Sequence, residues 1–278
     1  MTIRDDLMKE LEHEIQFRKS HTQAQYKAHV GEYLDFVKRR DPSYEKWKDR
    51  EMVYAYIDKL KRAQKSQSTI NFIIRGPVGC LFRFSGLRLP VKLPPIDLAV
   101  YSGDESLFWT EEQIQSLIHT ARTGDTKDQA IIAVATIYAP RVSEILKITK
   151  KEIDFKKMVI TIPTVKHNLV RRHLIPEEVQ YQICKYSWDQ VGEQDLRDML
   201  ERIAGAAGIE RKSRQSFHAF RHALWDELSY SGLTPSEIYD FTGWVKGGTQ
   251  GFYIHPLKYN PLNDRKVFEK HPFLKFWK

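Results

Sequence analysis

The sequence predicts a mainly α protein: a helical N-terminal unit, then a larger, mostly helical unit that holds a small antiparallel β-sheet. Three observations carry this. Apolar residues recur at helical spacing along most of the 278 residues. Two short stretches, Met158–Ile162 and Arg171–Ile175, alternate like paired strands. Between the two helical series, Pro90, Pro94 and Pro95 fall in a stretch without periodicity, which reads as a linker. The expected division is a unit over 1–93, a linker over 94–100 and a second unit over 101–278.

The elements follow in order. Arg4 to Phe17 places Leu7, Leu11, Ile15 and Phe17 near one helical face. Thr22 to Val37 repeats the pattern with Tyr26, Val30, Tyr33, Leu34 and Val37, and Asp41-Pro42 breaks it. Asp49 to Lys61 presents Val53, Tyr54, Ile57 and Leu60. Ser68-Thr69 is a candidate cap for a fourth helix through Ile70, Ile73 and Ile74, interrupted near Gly76-Pro77. In the second unit, Thr110-Glu111-Glu112-Gln113 is a capping box that opens a helix burying Ile114, Leu117 and Ile118. Asp125 to Tyr138 is apolar enough for a core helix; Pro140 stops it, and Arg141 to Ile148 resumes as a short one. Pro163 to Asn168 makes the hairpin turn. The remainder reads helical, broken at Gly205–Gly208, Ser231–Pro235 and Gly243–Gly251.

Composition excludes several classes. Hydrophobic residues are 41% and charged residues 29%, so the chain can build a core and is not a disordered one. The longest apolar run, about Ala130 to Ala139, is near half of the ~20 residues a bilayer span needs. The opening residues lack a signal core. Membrane and secreted readings are disfavoured, and a cytoplasmic setting is expected. Two cysteines, Cys80 and Cys184, suit a reducing interior and are too few for a cysteine zinc site. Lys+Arg outnumber Asp+Glu by 44 to 36, a net charge of +8 that favours an anionic partner. Lys59, Lys61, Arg62, Lys65, Arg75, Arg83, Arg88 and Lys92 occupy a stretch with no Asp or Glu between Asp58 and Asp97. This is either a solubilising surface or a face laid on phosphates.

The chemistry begins at His218-Ala-Phe-Arg221-His222. A helix puts His218, Arg221 and His222 on one face. The two histidines have the spacing of zinc ligands, but the intervening Glu and a third ligand are missing, so no metal is expected. A solvated helix start and a phosphate site are the remaining readings. Four other features favour the phosphate site. Arg141-Val-Ser-Glu144 stands at a helix start, and Lys166 at the hairpin tip. Gly243-Trp244 follows Arg221, and Tyr253-Ile-His255 follows Trp244, with Tyr253 nine residues after the tryptophan.

This set resembles the tyrosine recombinases, or phage-type integrases. Their motifs are an R-x-S-E box, a lysine on a β-hairpin, H-x-x-R, a G-H or G-W pair and a late tyrosine. Arg141 with Glu144, Lys166, His218 with Arg221, Gly243-Trp244 and Tyr253 fall at those places, and Arg171 to Glu177 looks like the strand after the hairpin lysine. The resemblance covers about Tyr101 to His255; the first hundred residues match only in helical style. Three departures stand out: Ala139-Pro140 replaces the usual Gly-Leu before the first box, Trp244 replaces the commoner histidine, and the hairpin, Thr164-Val-Lys166-His-Asn-Leu169, lacks the usual glycine beside its lysine.

The resemblance implies a site-specific recombinase acting on double-stranded DNA through a 3′-phosphotyrosine, without metal, ATP or other cofactor. It implies a C-shaped clamp around DNA and a homo-tetramer on two synapsed sites; a monomer is compatible with the sequence off DNA. Lys59, Lys61, Arg62, Lys65, Arg75 and Arg83 are the expected backbone contacts. The residue types suit such chemistry. Tyr253 is an oxygen nucleophile able to store a phosphate ester. Arg141 and Arg221 present planar forks to the non-bridging oxygens. Lys166 is the expected acid for the leaving oxygen and His218 the handler of the tyrosine proton. The Trp244 indole N–H can donate to a phosphate oxygen, or its ring can pack the Tyr253 segment. Glu144 is either a support for the box or an ordinary surface residue. The aromatic and basic tail, with Phe268, Phe273, Phe276 and Trp277, either docks on a neighbouring protomer or packs on its own chain. Two rivals share much of this pattern: a type IB topoisomerase-like nicking-closing enzyme, and a catalytically silent architectural DNA-binding protein.

Overall fold

A computed structural model describes residues 3–94, 108–163, 170–212, 215–243 and 260–278. The chain divides into two compact units, Met1–Gly103 and Asp104–Lys278.

In the first unit, α1 (Ile3–Ile15) buries Leu7, Leu11 and Ile15. Phe17 lies beyond its end and is 93% exposed, so the buried face stops at Ile15. Helix α2 (Ser20–Lys38) buries the apolar set read from the sequence and Phe36 besides. A 3-10 turn over Glu45–Lys48 leads to α3 (Arg50–Arg62), whose buried face is Met52, Val53, Tyr56, Ile57 and Leu60. Tyr54 points outward, because helical rotation puts it opposite Tyr56 and Leu60. The fourth helix, α4 (Gln67–Ile73), is capped by Ser66, which accepts from the Thr69 N–H, rather than by Ser68 or Thr69. Gly76-Pro77 does not interrupt the chain. A π-helical turn over Ile74–Val78 absorbs the proline and runs into α5 (Gly79–Phe84).

The start of the proline-rich stretch belongs to this unit. Val91 is buried, Asn71 Nδ2 donates to the Pro94 carbonyl at 3.0 Å and Arg75 Nη2 to the Leu93 carbonyl at 3.3 Å. The rest of the expected linker lies outside the described residues.

The second unit opens with α6 (Glu111–Arg122), and both bonds of the Thr110–Gln113 capping box are present. Helix α7 (Thr126–Ile137), capped by Asp125, is buried on nearly every side. It packs against α6, against α9 (Glu177–Lys185) and against α11 (Phe217–Tyr230). Between α7 and α9 come the short α8 (Val142–Ile145) and a three-stranded antiparallel sheet in the order β1 (Ile153–Asp154), β2 (Val159–Pro163), β3 (Val170–Leu174). The hairpin pairs Ile160 with His173 and Ile162 with Arg171. Strand β1 is absent from the sequence reading, since two residues cannot show alternation. The unit is completed by α10 (Glu193–Ala206), α12 (Pro235–Thr242), α13 (Pro261–Glu269) and a 3-10 turn over Leu274–Trp277.

From residue 260 onward the tail packs on its own unit. Phe273 and Trp277 are buried, the Trp277 indole donates to Thr136 Oγ1, and Arg122 donates to the carbonyls of Phe276 and Lys278. No helix among the described residues is long and apolar enough to cross a membrane.

Candidate active site

The site is built around a sharp reversal after α7. Ala139 adopts φ 45°, in the left-handed region, and Pro140 follows. Arg141 is extended and forms the N-cap of α8. The reversal lets two consecutive carbonyls accept from buried guanidiniums: that of Tyr138 from Arg171 Nη1 at 3.3 Å, and that of Ala139 from Arg221 Nη1 at 2.9 Å.

Glu144, one turn into α8, is fully buried. Its carboxylate accepts from the Arg141 backbone N–H at 2.9 Å, from Arg141 Nη1 at 2.7 Å and from Arg171 Nη2 at 3.4 Å. The alternative of an ordinary surface glutamate is therefore excluded. Arg171 comes from β3, where side chains alternate in burial. It also donates to the Phe241 carbonyl at 2.8 Å, at the end of α12. Arg221 lies on the buried face of α11. Three guanidiniums thus gather around one carboxylate: Arg141 and Arg171 bind it, and Arg221 donates instead to the Ala139 carbonyl.

That imbalance governs the electrostatics. Burial pushes Arg221 down to about 9, and repulsion from Arg171 and Arg141 acts in the same direction. Burial brings Arg171 down to about 10, opposed by Glu144. Burial raises the Glu144 carboxyl, but Arg171 and the hydrogen bonds from Arg141 outweigh it and hold the group below the usual carboxylate range. Among the described residues the three guanidiniums repel one another around one carboxylate, and an anion beside them relieves that repulsion. Arg141, with 23% of its side chain exposed, is the member that reaches solvent.

The entry of α11 is fixed from several directions. The Ser216 hydroxyl accepts from the His218 N–H, the Trp109 indole donates to the Ser216 carbonyl, and Gln215 donates to the Phe108 carbonyl and to Gln113. His218 is exposed and half-buried His222 lies edge-on to it, ring centroids 4.7 Å apart. Burial and then Arg221 push His222 below its usual value. Among the described residues, no group of three His, Cys, Asp or Glu is arranged to hold a metal.

Arg141, Glu144 and Arg221 are therefore brought together, with His218 one turn before Arg221 on α11. Lys166, Trp244, Tyr253 and His255 lie outside the described residues. In the first unit, Lys59, Lys61, Arg62, Lys65, Arg75 and Arg83 are all exposed. Arg83 Nη1 donates to the Arg75 carbonyl at 3.4 Å, so these two neighbour each other and the Leu93 strap. Lys59 lies over the Phe36 and Tyr56 rings, and Lys61 faces Asp58.

Sequence reasoning missed Arg171 as part of the cluster. The signal was available: the strand reading places Arg171 and His173 on the same face as each other, opposite Arg172, and the partner strand offers Ile160 and Ile162 to that register. His173 Nδ1 lies 2.9 Å from Asp264 Oδ1, and the Leu174 N–H donates to Asp264 Oδ2 at 2.8 Å.

Residues 108–259, more than half of the chain, match the phage integrase family. The chain belongs to the phage integrase family. With that membership comes the coarse activity of a site-specific DNA recombinase or integrase. The fold agrees. A Tn1549 transposon integrase in complex with circular intermediate DNA superposes with a TM-score of 0.64 at 15% identity, over 95% of this chain and 98% of that one. A lambda integrase dimer bound to a COC′ core site gives 0.63 at 14% identity, over 91% and 94%. A curated protein, the unsaturated chondroitin disaccharide hydrolase of Streptococcus pneumoniae (strain ATCC BAA-255 / R6), is 28% identical over 90 residues, 32% of this chain. That stretch spans 23% of the hydrolase.

Proposed function

We propose that this integrase cuts and rejoins double-stranded DNA through a 3′-phosphotyrosine formed by Tyr253. The observation that carries the reading is the cluster in which Arg141 and Arg171 share Glu144 and Arg221 lies beside them on the Ala139 carbonyl. Its positive charge suits a phosphodiester whose non-bridging oxygens gain charge in a pentavalent transition state.

In the reaction, Tyr253 Oη attacks the scissile phosphorus and the bond to the 5′ oxygen breaks. His218 takes the tyrosine proton and Lys166 supplies a proton to the departing oxygen. The ester bond replaces the one broken, so reversal rejoins the strand without ATP and without a resident metal or cofactor. Trp244 supports a phosphate oxygen or the Tyr253 segment. Residues 1–93 bind the duplex with Lys59, Lys61, Arg62, Lys65, Arg75 and Arg83 on its backbone, and residues 101–278 perform catalysis. Four protomers on two sites complete the exchange.

The test is covalent trapping in EDTA. Wild type and Tyr253→Phe are incubated with supercoiled plasmid and with a pool of nicked duplexes, then quenched in SDS. A protein–DNA adduct on a 3′ end, present in wild type and absent in the variant, is the expected result. DNA binding without any adduct in wild type, on a duplex that wild type itself selects, overturns the mechanism.

A further inference from the structure

Strand β3 carries two buried polar residues on one face, and each holds a different piece of chain. Arg171 holds the end of α12: its Nη1 donates to the Phe241 carbonyl at 2.8 Å. Two residues later, Gly243 turns through φ 62°, and a Cβ there would come within 2.5 Å of Arg171 Cδ. Only glycine fits both the backbone angle and the contact. His173 and its neighbour hold the start of α13: Asp264 lies 2.9 Å from His173 Nδ1 and accepts from the Leu174 N–H. Burial, opposed in part by Asp264, pushes the His173 imidazole below its usual value. The Asp264 carboxylate is an acceptor, so the bond to it is donated by Nδ1–H. Asn260 caps α13, and Asn263 Nδ2 ties it to the Glu237 carbonyl of α12.

These two anchors flank the segment with Trp244 and Tyr253. Tyr253 stands ten residues after Gly243 and eleven before Asp264, near the middle of the interval. We propose that Arg171 and His173 are positioning residues, which from one face of β3 fix both flanks of the segment that carries Trp244 and Tyr253. This rests on Tyr253 as the nucleophile. The same Arg171 binds Glu144, so the anchor of the nucleophile segment and the support of Arg141 are one side chain. Rate then depends on β3 holding its exact register, since a misplacement near 1 Å can cost on the order of 10²-fold.

The test uses the full chain and a nicked duplex selected by wild type from a randomised pool. Single-turnover adduct formation at saturating DNA and the Kd are measured for Arg171→Lys, His173→Leu and His173→Asn. Lysine keeps the charge of Arg171 but not its fork; asparagine keeps a donor where His173 Nδ1 stands, and leucine does not. Asp128→Asn, which weakens the remote Arg202 pair, controls for lost stability. The expected result is a Kd within about threefold of wild type throughout. Rates fall on the order of 10²-fold for Arg171→Lys and His173→Leu, with recovery in His173→Asn. Wild-type rates in both damaged variants overturn the proposal. So does a rate loss that follows the folded fraction as in Asp128→Asn, or an equal loss in His173→Asn and His173→Leu. If one variant does not fold, the other decides. Absence of an adduct in wild type itself instead removes the nucleophile on which the proposal stands.

Discussion

Replacing Glu144 with glutamine tests the charge cluster directly. The carboxylate is fully buried and accepts three hydrogen bonds, at 2.9, 2.7 and 3.4 Å, all from arginines. Glutamine keeps the shape but has one acceptor oxygen, so its amide N–H groups face donors. Breaking a buried ion pair by removing one partner costs about 3–5 kcal/mol. Glutamine loses one or two of these charge-assisted hydrogen bonds, worth roughly 1.5–3 kcal/mol each, which gives an overlapping range. For a unit of this size, Glu144→Gln should then lower Tm by about 10 °C at pH 7. The pH dependence has a definite sign. Arg171 and Arg141 hold the folded-state carboxyl below its unfolded value of 4.5. Its contribution is therefore complete above that pH and is lost as pH falls through the lower folded value. The Tm gap between wild type and variant should hold constant from about pH 5 to about pH 8 and close only in stronger acid. Calorimetry on both proteins measures it. A gap of less than about 2 °C at pH 7 would mean that the carboxylate is not what holds Arg141 and Arg171 together.

Two further predictions concern other parts of the chain. His271 is buried, lies 3.0 Å from the Ile137 carbonyl through Nε2, and burial pushes it down to about 4. Stability should thus fall as pH drops from about 6.5 through about 4, and His271→Gln should flatten that slope by up to ~1.4 kcal/mol per pH unit in denaturation curves. Lys61→Ala with Arg62→Ala should weaken DNA binding across sequences and reduce the slope of log K against log salt by about 0.9 for each phosphate no longer neutralised; an unchanged slope removes this stretch from the interface.

Much of the fold was legible because its helices are amphipathic. Leu7, Leu11 and Ile15, or Ile114, Leu117 and Ile118, mark a buried stripe by their spacing alone. The failures have local causes. Ser66 outcompetes Ser68 and Thr69 as a cap because its hydroxyl reaches the Thr69 N–H. Gly76-Pro77 looks like a break because periodicity does not foresee a π turn. The tail offered equal grounds for docking elsewhere or packing at home. What decides is tertiary: the Trp277 indole bonds Thr136 and His271 meets the Ile137 carbonyl, both on α7 and far away in sequence.

The candidate site divides along the same line. Arg141, Glu144 and Arg221 are legible as a motif, yet nothing in their spacing says that Glu144 is buried or that Arg171 is its second partner. The reversal at Ala139 shows why. A left-handed conformation at a residue with a Cβ costs roughly 1–2 kcal/mol. Where the sequence reading expects glycine, this chain has alanine and adopts a left-handed turn all the same. The conformation persists because the carbonyls on either side of the reversal accept from Arg171 and Arg221, two buried cations that need acceptors. The backbone strain and the buried charge are thus one arrangement. The arginines hold the turn, and the turn presents Arg141 at the N-cap of α8, where Glu144 can grip it by both backbone and side chain. A motif of four residues gains its geometry from a strand about 30 residues downstream and a helix about 80 downstream, which a reading by spacing alone cannot supply.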